Sequence, residues 1–574
     1  MADRIKVEQK DPAPLRGRPW TRHYDPGVPA TLVYPDVPLH ALLEDASRSH
    51  RGATATIFLG AKRSYESLQR DATFFSAGLR RLGVKKGDRV ALMLPNCPQF
   101  LIAFFGALRL GAVVVPCNPL YTPREIQQQL ADCGAETIVV LSRFYPTVKA
   151  ARTATALRNV IVTSLKEEMP PLVRLLFSAT KERKDGHRVA WRGDQGTHAF
   201  RDLLADAGEP VSAPVGSADL AVLQYTGGTT GTPKGAMLSH RALVANALQC
   251  RAWFTNLNDG RDTIVGAMPL FHVYGLTVAM DLAIQSASAL LLEPQFDLLR
   301  VLKDIEKHRP KIFPGAPRIY NAIVGSPLAT KYDLKSVEAC ISGSAPLLEA
   351  TARRFGELTG GHLVEGYGLT EAAPVTHCNP LFSPGKQKVG SIGVPFPDVE
   401  SKVMDLETGT REVRAGESGE LVLRGPQLMD GYYERPEETA QAIRDGWLYT
   451  GDVAYVDGEG YVFIVDRKKE LIIVSGFNVY PREVEEVLAA HGQVLESAAI
   501  GISHDLKGEA VKAFVVRQPG ATVSADELIA FCRESLAPFK VPAEIEFRDS
   551  LPKTIVGKVL RRQLAEEERA QRAS

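Results

Sequence analysis

Charge of one sign is what this 574-residue chain lacks first: 68 Lys+Arg stand against 67 Asp+Glu, for a net charge of +1. No global basic field exists to hold nucleic acid, so that class of partner is set aside. Paired cysteines are lacking too. The seven cysteines, at 97, 117, 133, 250, 340, 378 and 532, show no C-x-x-C spacing and no neighbouring histidine cluster. They suggest neither a zinc site nor a disulfide framework. Long hydrophobic runs are absent as well. The most apolar stretch, Phe100 to Cys117, is interrupted by Arg109 and closed by Pro116, short of the roughly 18 to 20 uninterrupted residues that cross a bilayer. It predicts a buried helix followed by a strand. The opening Met-Ala-Asp-Arg-Ile-Lys-Val-Glu-Gln-Lys has no apolar core of a secretory signal, and a cytoplasmic location is expected.

What the chain does contain is the composition of an ordinary globular protein, 45% hydrophobic and 24% charged, at a length that implies more than one domain. From Arg51 to about Asn379, helical and strand patterns alternate. Tyr65–Leu82 and Pro98–Leu110 read as helices; Val90–Leu94, Ala112–Pro116, Thr137–Leu141, Asn159–Val162 and Ala221–Tyr225 read as buried strands. That order predicts an α/β fold with parallel sheets. After Lys388 come short glycine-punctuated strands, including Gly419–Gly425 and a hairpin at Asp457-Gly-Glu-Gly460, which suggest a mostly β subdomain. A compact α+β unit then begins. Leu471–Val474 is its first strand, Pro481 opens a helix with Val484, Val487 and Leu488 on one face and Gly492 at its end, and a capping box at Ser524 to Glu527 announces another helix. The boundary is set at Asp466 to Lys469, giving a large N-terminal domain, 1–466, and a small mobile C-terminal domain, 467–574. The polar stretch Glu566–Ser574 reads as a solvated tail.

The chemistry concentrates first in Tyr225-Thr-Gly-Gly-Thr-Thr-Gly-Thr-Pro-Lys-Gly235. Glycines let backbone N–H groups approach an anion, hydroxyls donate to it, and the lysine adds a point charge. A P-loop is disfavoured, because Pro233 precedes Lys234 and Gly235 follows it, where that motif needs Gly-Lys-Ser/Thr opening a helix. Ala236 onward is strand-like and Ser239 is the next helix cap, so the loop is expected to join two strands. A flexible surface loop is the plain alternative.

At this point the sequence resembles the adenylate-forming superfamily of acyl-CoA synthetases, luciferases and peptide-synthetase adenylation domains. Further motifs follow in that family's order: Glu365-Gly-Tyr-Gly-Leu-Thr-Glu371, Tyr449-Thr-Gly-Asp452, Asp466-Arg-Lys-Lys-Glu470 and Pro552-Lys-Thr-Ile-Val-Gly-Lys558. The resemblance spans nearly the whole chain and is nearest to bacterial medium- or long-chain fatty-acid–CoA ligases. It implies activation of the acid by ATP to an acyl-adenylate, then transfer to coenzyme A with release of AMP and pyrophosphate.

The resemblance also implies roles. Thr226, Gly227, Gly228, Thr229, Thr230, Gly231 and Lys234 would cradle the departing phosphates; Gly343, Ser344, Ala345, Glu365, Gly366, Tyr367 and Gly368 would border the nucleotide, with Tyr367 on adenine. Thr370 would touch the α-phosphate, Glu371 with Thr230 would hold Mg²⁺, Asp452 and Arg467 would serve the ribose, and Lys558 would be the catalytic cation. Gly476 would admit the CoA thiol, and Lys469 would be the hinge between two poses. His272, in Ala267-Met-Pro-Leu-Phe-His-Val-Tyr-Gly275, would line the acyl pocket and counts among the catalytic candidates; a satisfied core histidine is its other reading. An aspartate in that place would pair with an amino-acid ammonium, so His272 argues against peptide-synthetase chemistry. Small residues in Phe313–Pro317 and Ser342–Pro346 leave room for an aliphatic tail. Lys553, Arg561 and Arg562 read as solvated charges.

An acyl-AMP ligase serving a carrier protein, an aryl-acid CoA ligase and a non-enzymatic acyl-binding or membrane-transport module stay open as alternatives. Met169–Lys184, apolar at its start and basic at its end, suits a peripheral contact with the inner membrane face, a core-packed helix and a homodimer contact alike.

Overall fold

The computed structural model describes residues 5–9, 18–205, 214–226, 233–474, 477–504, 508–554 and 557–573. Two compact units emerge, one of Met1–Glu400 with Arg424–Gly446 and one of Ser401–Leu423 with Trp447–Ser574. The boundary expected at residues 466–469 lies inside the second unit.

The first unit is built on a seven-stranded sheet, in the order Thr197–Ala199, Asn159–Thr163, Thr137–Leu141, Arg89–Met93, Val113–Pro116, Leu220–Thr226 and Lys234–Ser239. Neighbours run parallel up to Leu220–Thr226, and the last pair is an antiparallel hairpin. All side chains of Val113–Pro116 and Thr137–Leu141 are buried, as strands covered on both faces require. Ser64 caps the helix Tyr65–Arg81 by accepting from Ser67 N, and Leu68, Ala72, Phe75 and Leu79 turn inward at 3–4-residue spacing. This helix packs on Pro98–Arg109, which is buried from Pro98 through Leu108. Gly106 permits the close approach, because a Cβ there would sit 2.8 Å from the Ala72 carbonyl oxygen. The apolar run is thus an interior helix of 12 residues, and no described helix is long and apolar enough to cross a membrane.

Two four-stranded sheets complete the unit: Thr263–Gly266, Ala289–Leu292, Thr54–Phe58 and Ala61–Ser64 form one; Ala339–Ser342, His362–Gly368, Val375–Cys378 and Val394–Pro395 form the other. The seven cysteines are buried and free. The helix Pro171–Thr180 buries none of its residues, so of the three readings of Met169–Lys184 the core-packed helix fails.

In the second unit, Gly419–Arg424 pairs antiparallel with Trp447–Val456, which returns through the expected hairpin to Val462–Arg467. Asp457 Oδ1 accepts from the N–H groups of Glu459 and Tyr461 to close that turn. The α+β part centres on the strand Gly508–Arg517, flanked by Val494–His504, Ile472–Val474 and Glu544–Phe547. Its alternate residues divide between two cores. Val511, Ala513 and Val515 pack with Val484, Leu488, Leu528 and Cys532; Ala510, Phe514 and Val516 pack with Leu551 and Leu564.

Three sequence expectations are corrected here. The helix opened by Pro481 ends at Ala489 with Ala490 as its cap, so Gly492 does not terminate it. Glu566 onward is no free tail but part of the helix Arg561–Ala573, whose Glu568 is buried and takes Lys512 Nζ at 2.6 Å. Arg561 is not a solvated charge: it ion-pairs with Glu470 and with Glu485 at 2.6 Å, and only 17% of its side chain is exposed. Arg562, half exposed against Glu566, fits the expectation.

Candidate active site

In the first unit, Thr226 and Lys234 are register partners at the loop end of the 220–226/234–239 hairpin. Gly227, Gly228, Thr229, Thr230 and Gly231 lie outside the described residues. Ser239 ends the hairpin and caps the next helix by accepting from Ala242 N. Residues 429–433 run beside the second hairpin strand: Tyr433 N donates to Gly235 O at 2.8 Å and Met237 N to Gly431 O at 2.9 Å. That register brings Tyr432 under Lys234, whose Nζ stands 5.3 Å from the ring centroid and 3.8 Å from Glu438.

The Tyr432 hydroxyl in turn donates to Glu371 Oε1 at 2.7 Å. Lys234 and Glu371, from separate motifs, are thereby joined through one phenol. Glu371 sits in the single turn Thr370–Ala372, and Met429 N donates to its backbone oxygen at 2.9 Å. Gly368 has no space for a side chain, since a Cβ would lie 2.1 Å from Pro374 O.

Tyr367, next to last in the strand His362–Gly368, is half-buried, its ring edge-on to His377 at 6.1 Å. Glu365 is buried, and its Oε2 accepts from Leu347 N at 3.2 Å. It therefore braces the loop of Gly343, Ser344 and Ala345. Ser344 holds φ at 73° there, a left-handed conformation that costs a serine energy and needs such support. Gly343 faces the ring of Tyr274, and Gly366 is tight against Ile341.

His272 heads a buried segment. Its Nδ1 accepts from Tyr274 N at 3.2 Å, which puts the proton of the neutral ring on Nε2. Burial pushes the imidazole down to about 4, so it is neutral at pH 7. Gln224 reaches from the hairpin to Phe271 O at 3.0 Å, and Asn96 holds the carbonyl oxygens of Gly266 and Met268 at 2.8 Å each. The π-helical stretch Gly275–Asp281 follows, and Thr277 Oγ1 donates to Ala373 O at 2.8 Å, tying this segment to the Glu371 turn.

In the second unit, Asp452 is buried and ion-paired to its register partner Arg467 at 2.6 Å. Lys468 holds Glu420 at 2.9 Å, and Glu420 Oε1 accepts from Gly451 N at 3.1 Å, fixing the turn before Asp452. Lys558 arrives on a tight loop, where Gly557 adopts φ of 91°, Thr554 Oγ1 accepts from Lys558 N at 3.0 Å and Thr554 N donates to Lys558 O at 2.8 Å. Burial lowers the Lys558 ammonium below its usual range; Arg467 adds repulsion, opposed by Asp452 and Glu470. The second unit thus brings Lys558, Asp452 and Arg467 into one electrostatic neighbourhood. Lys469 is exposed in the turn Lys468–Glu470. Gly476 lies outside the described residues.

Sequence reasoning missed two residues here. Tyr432 is 61 positions from Glu371 in a stretch without a motif, and Arg561 was set aside as a surface charge. An aromatic residue just ahead of a charged stretch carries no local signal of a carboxylate partner.

Comparison with known proteins now decides the family. Residues 43–433 match the AMP-binding enzyme family, and residues 483–558 match the AMP-binding enzyme C-terminal domain. The chain belongs to the AMP-binding enzymes. Within that family it is 44% identical to a long-chain-fatty-acid–CoA ligase of Bacillus subtilis, over 96% of this chain and 98% of the relative. A ligase of the same name from Yersinia pestis is 40% identical over 96% and 98%. Among solved structures, ATP-bound MatB from Rhodopseudomonas palustris superposes with a TM-score of 0.82 at 32% identity, covering 93% of this chain and 99% of that one. The α/β fold with a small C-terminal part is the architecture of these family members.

Proposed function

We propose that this chain is an AMP-forming ligase that converts a medium- or long-chain fatty acid, ATP and CoA into acyl-CoA, AMP and pyrophosphate. A carboxylate is a poor acyl donor because oxide would have to leave. In the first step a carboxylate oxygen attacks the α-phosphorus while the bond to the β-phosphate breaks, and pyrophosphate departs. In the second, the CoA sulfur attacks the acyl carbon, the bond to AMP breaks, and the thiol proton is released. The fatty acid is favoured by the two bacterial relatives named for it.

The observation that carries the reaction class is the match of residues 43–433 and 483–558 to the AMP-binding enzymes; within the second unit Lys558 feels the charges of Arg467 and Asp452, which pair with each other at 2.6 Å. A partly buried ammonium is under-solvated, so it gains more than an exposed one when carboxylate and phosphate oxygens arrive. Lys558 would bridge those oxygens as negative charge shifts toward the α-phosphate. Asp452, its buried charge balanced by Arg467, would take the ribose hydroxyls. Tyr367 would stack on adenine against the His377 side, and Thr370 would donate to the α-phosphate. Lys234 and the loop from Thr226 would hold the leaving pyrophosphate.

Glu371 fits a magnesium ligand. Its carboxylate is a hard oxygen donor, oriented by Tyr432 and paired with no cation among the described residues. Mg²⁺ bound there would offset phosphate charge. The neutral His272 offers no charge to an amine, which suits an apolar acid. We place the pivot between the two half-reactions at Lys469, on an exposed single turn joining two strands, with the C-terminal domain of 467–574 as the moving part and Gly476 on the CoA side.

ATP–pyrophosphate exchange tests this directly. Exchange is expected to require fatty acid and Mg²⁺ but not CoA, and added CoA should yield the thioester. Exchange supported by aryl acids and by no fatty acid, or no exchange with any acid, would overturn the reading.

A further inference from the structure

The helix Pro171–Thr180 is amphipathic in an inverted sense. At 100° per residue, Leu175, Ala179, Leu172, Leu176 and Val173 share one continuous face. Leucines 172, 175 and 176 are 69%, 67% and 56% exposed, and Val173 37%. The opposite side is the one attached to the protein. Phe177 meets His187 edge-on at 5.3 Å, and Arg174 donates to Met169 O at 3.2 Å.

Both ends are anchored. Before the helix, Glu168 pairs with Arg63 at 2.7 Å and Thr163 Oγ1 donates to Glu167 at 2.8 Å; after it, Glu182 pairs with Lys166 at 2.5 Å and the Ser142 hydroxyl donates to His187 O at 3.0 Å. The apolar face is therefore held outward by fixed contacts. Around it the charge is one-sided. From Arg174 to Arg192 there are Arg174, Lys181, Arg183, Lys184, Arg188 and Arg192 against Glu182 and Asp185, and Glu182 is taken by Lys166. Lys181, Arg183 and Lys184 are exposed and make no ion pair among the described residues.

We infer that this helix docks the enzyme on an anionic lipid bilayer, lying in the plane of the interface. The apolar face would enter the boundary between headgroups and acyl chains, while the lysines and arginines meet the lipid phosphates. A second copy of the chain is a poorer occupant. A ten-residue helix is about 15 Å long, too small for the roughly 800 Å² per partner of a stable interface, and a twofold contact would oppose like charges. Docking stands on the helix alone; its use, drawing fatty acid from the membrane where such acids partition, rests on the function proposed above.

Flotation with phosphatidylcholine vesicles, with and without phosphatidylglycerol, tests it. The wild-type protein should float with the anionic vesicles and be released by salt. The double variant Leu175→Asp, Leu176→Asp should bind at least about tenfold more weakly. The triple variant Lys181→Gln, Arg183→Gln, Lys184→Gln should lose roughly a hundredfold, taking about a fivefold factor per charge. All these side chains are exposed, so melting curves and acyl-CoA formation from a soluble short-chain acid should match wild type. Failure of the wild type to float, variants that float as well as wild type, or a wild-type dimer split to monomers by the leucine pair would each overturn the inference. A wild type that floats but makes no acyl-CoA from any fatty acid would instead sink the functional reading and leave the docking intact.

Discussion

Replacing Tyr432 by Phe removes one hydroxyl and keeps the ring beneath Lys234. The hydroxyl donates to Glu371 Oε1 at 2.7 Å, a hydrogen bond to a charged group worth about 1.5 to 3 kcal/mol. Because Glu371 is only half-buried, the lower end applies, and about 1.4 kcal/mol corresponds to a tenfold change in an equilibrium constant. The bond orients a carboxylate proposed to hold Mg²⁺, so the effect belongs in metal binding. Fatty-acid-dependent ATP–pyrophosphate exchange, measured across Mg²⁺ concentrations, should show the half-saturating Mg²⁺ raised by roughly tenfold, with most of the rate recovered at saturation. The packing of the ring is unchanged, so thermal stability should move little. An unchanged Mg²⁺ curve would refute the reasoning, as would a rate loss that saturating Mg²⁺ does not relieve.

Lys558→Ala should cripple exchange while leaving thioester formation from supplied acyl-adenylate nearly intact, and Gly476→Leu should do the reverse; equal slowing of both half-reactions by both changes would disprove the two-pose mechanism. Arg561→Ala leaves Glu470 and Glu485 uncompensated in a partly buried setting and should cost about 2 to 4 kcal/mol by urea denaturation, whereas Arg562→Ala should cost less than about 0.5 kcal/mol. Burial lowers His272 from 6.5 to about 4, so as pH falls below 6.5 the unfolded chain binds a proton the folded chain refuses. Between pH 7 and 5.5 this one group should withdraw about 1 kcal/mol of stability, and the urea-derived stability of His272→Asn should fall less over that interval by that amount.

Much of the fold was legible because its causes are local. Pro98 at a helix start, Ser239 as a cap after a strand, the capping box at Ser524 and the turn at Asp457 each act within four or five residues, and the structure has all of them. The glycine- and threonine-rich loop was recognisable by composition, and its flanks do form the expected hairpin.

Tertiary structure decided what local pattern cannot encode. The apolar stripe of residues 172–179 announces an amphipathic helix, but the same periodicity serves a face turned inward or outward; the anchors Phe177 and Arg174 set the direction. Charge alone could not separate Arg561 from Arg562, since both follow the Lys558 motif. Their fates differ because one helix position faces Glu470 and Glu485, 91 and 76 residues away, and the next faces solvent. Glu568 likewise reads as one more acid in a polar terminus until Lys512 is brought against it. Burial and partnership across long sequence separations depend on packing of whole elements, and packing leaves no short-range signature in the order of residues.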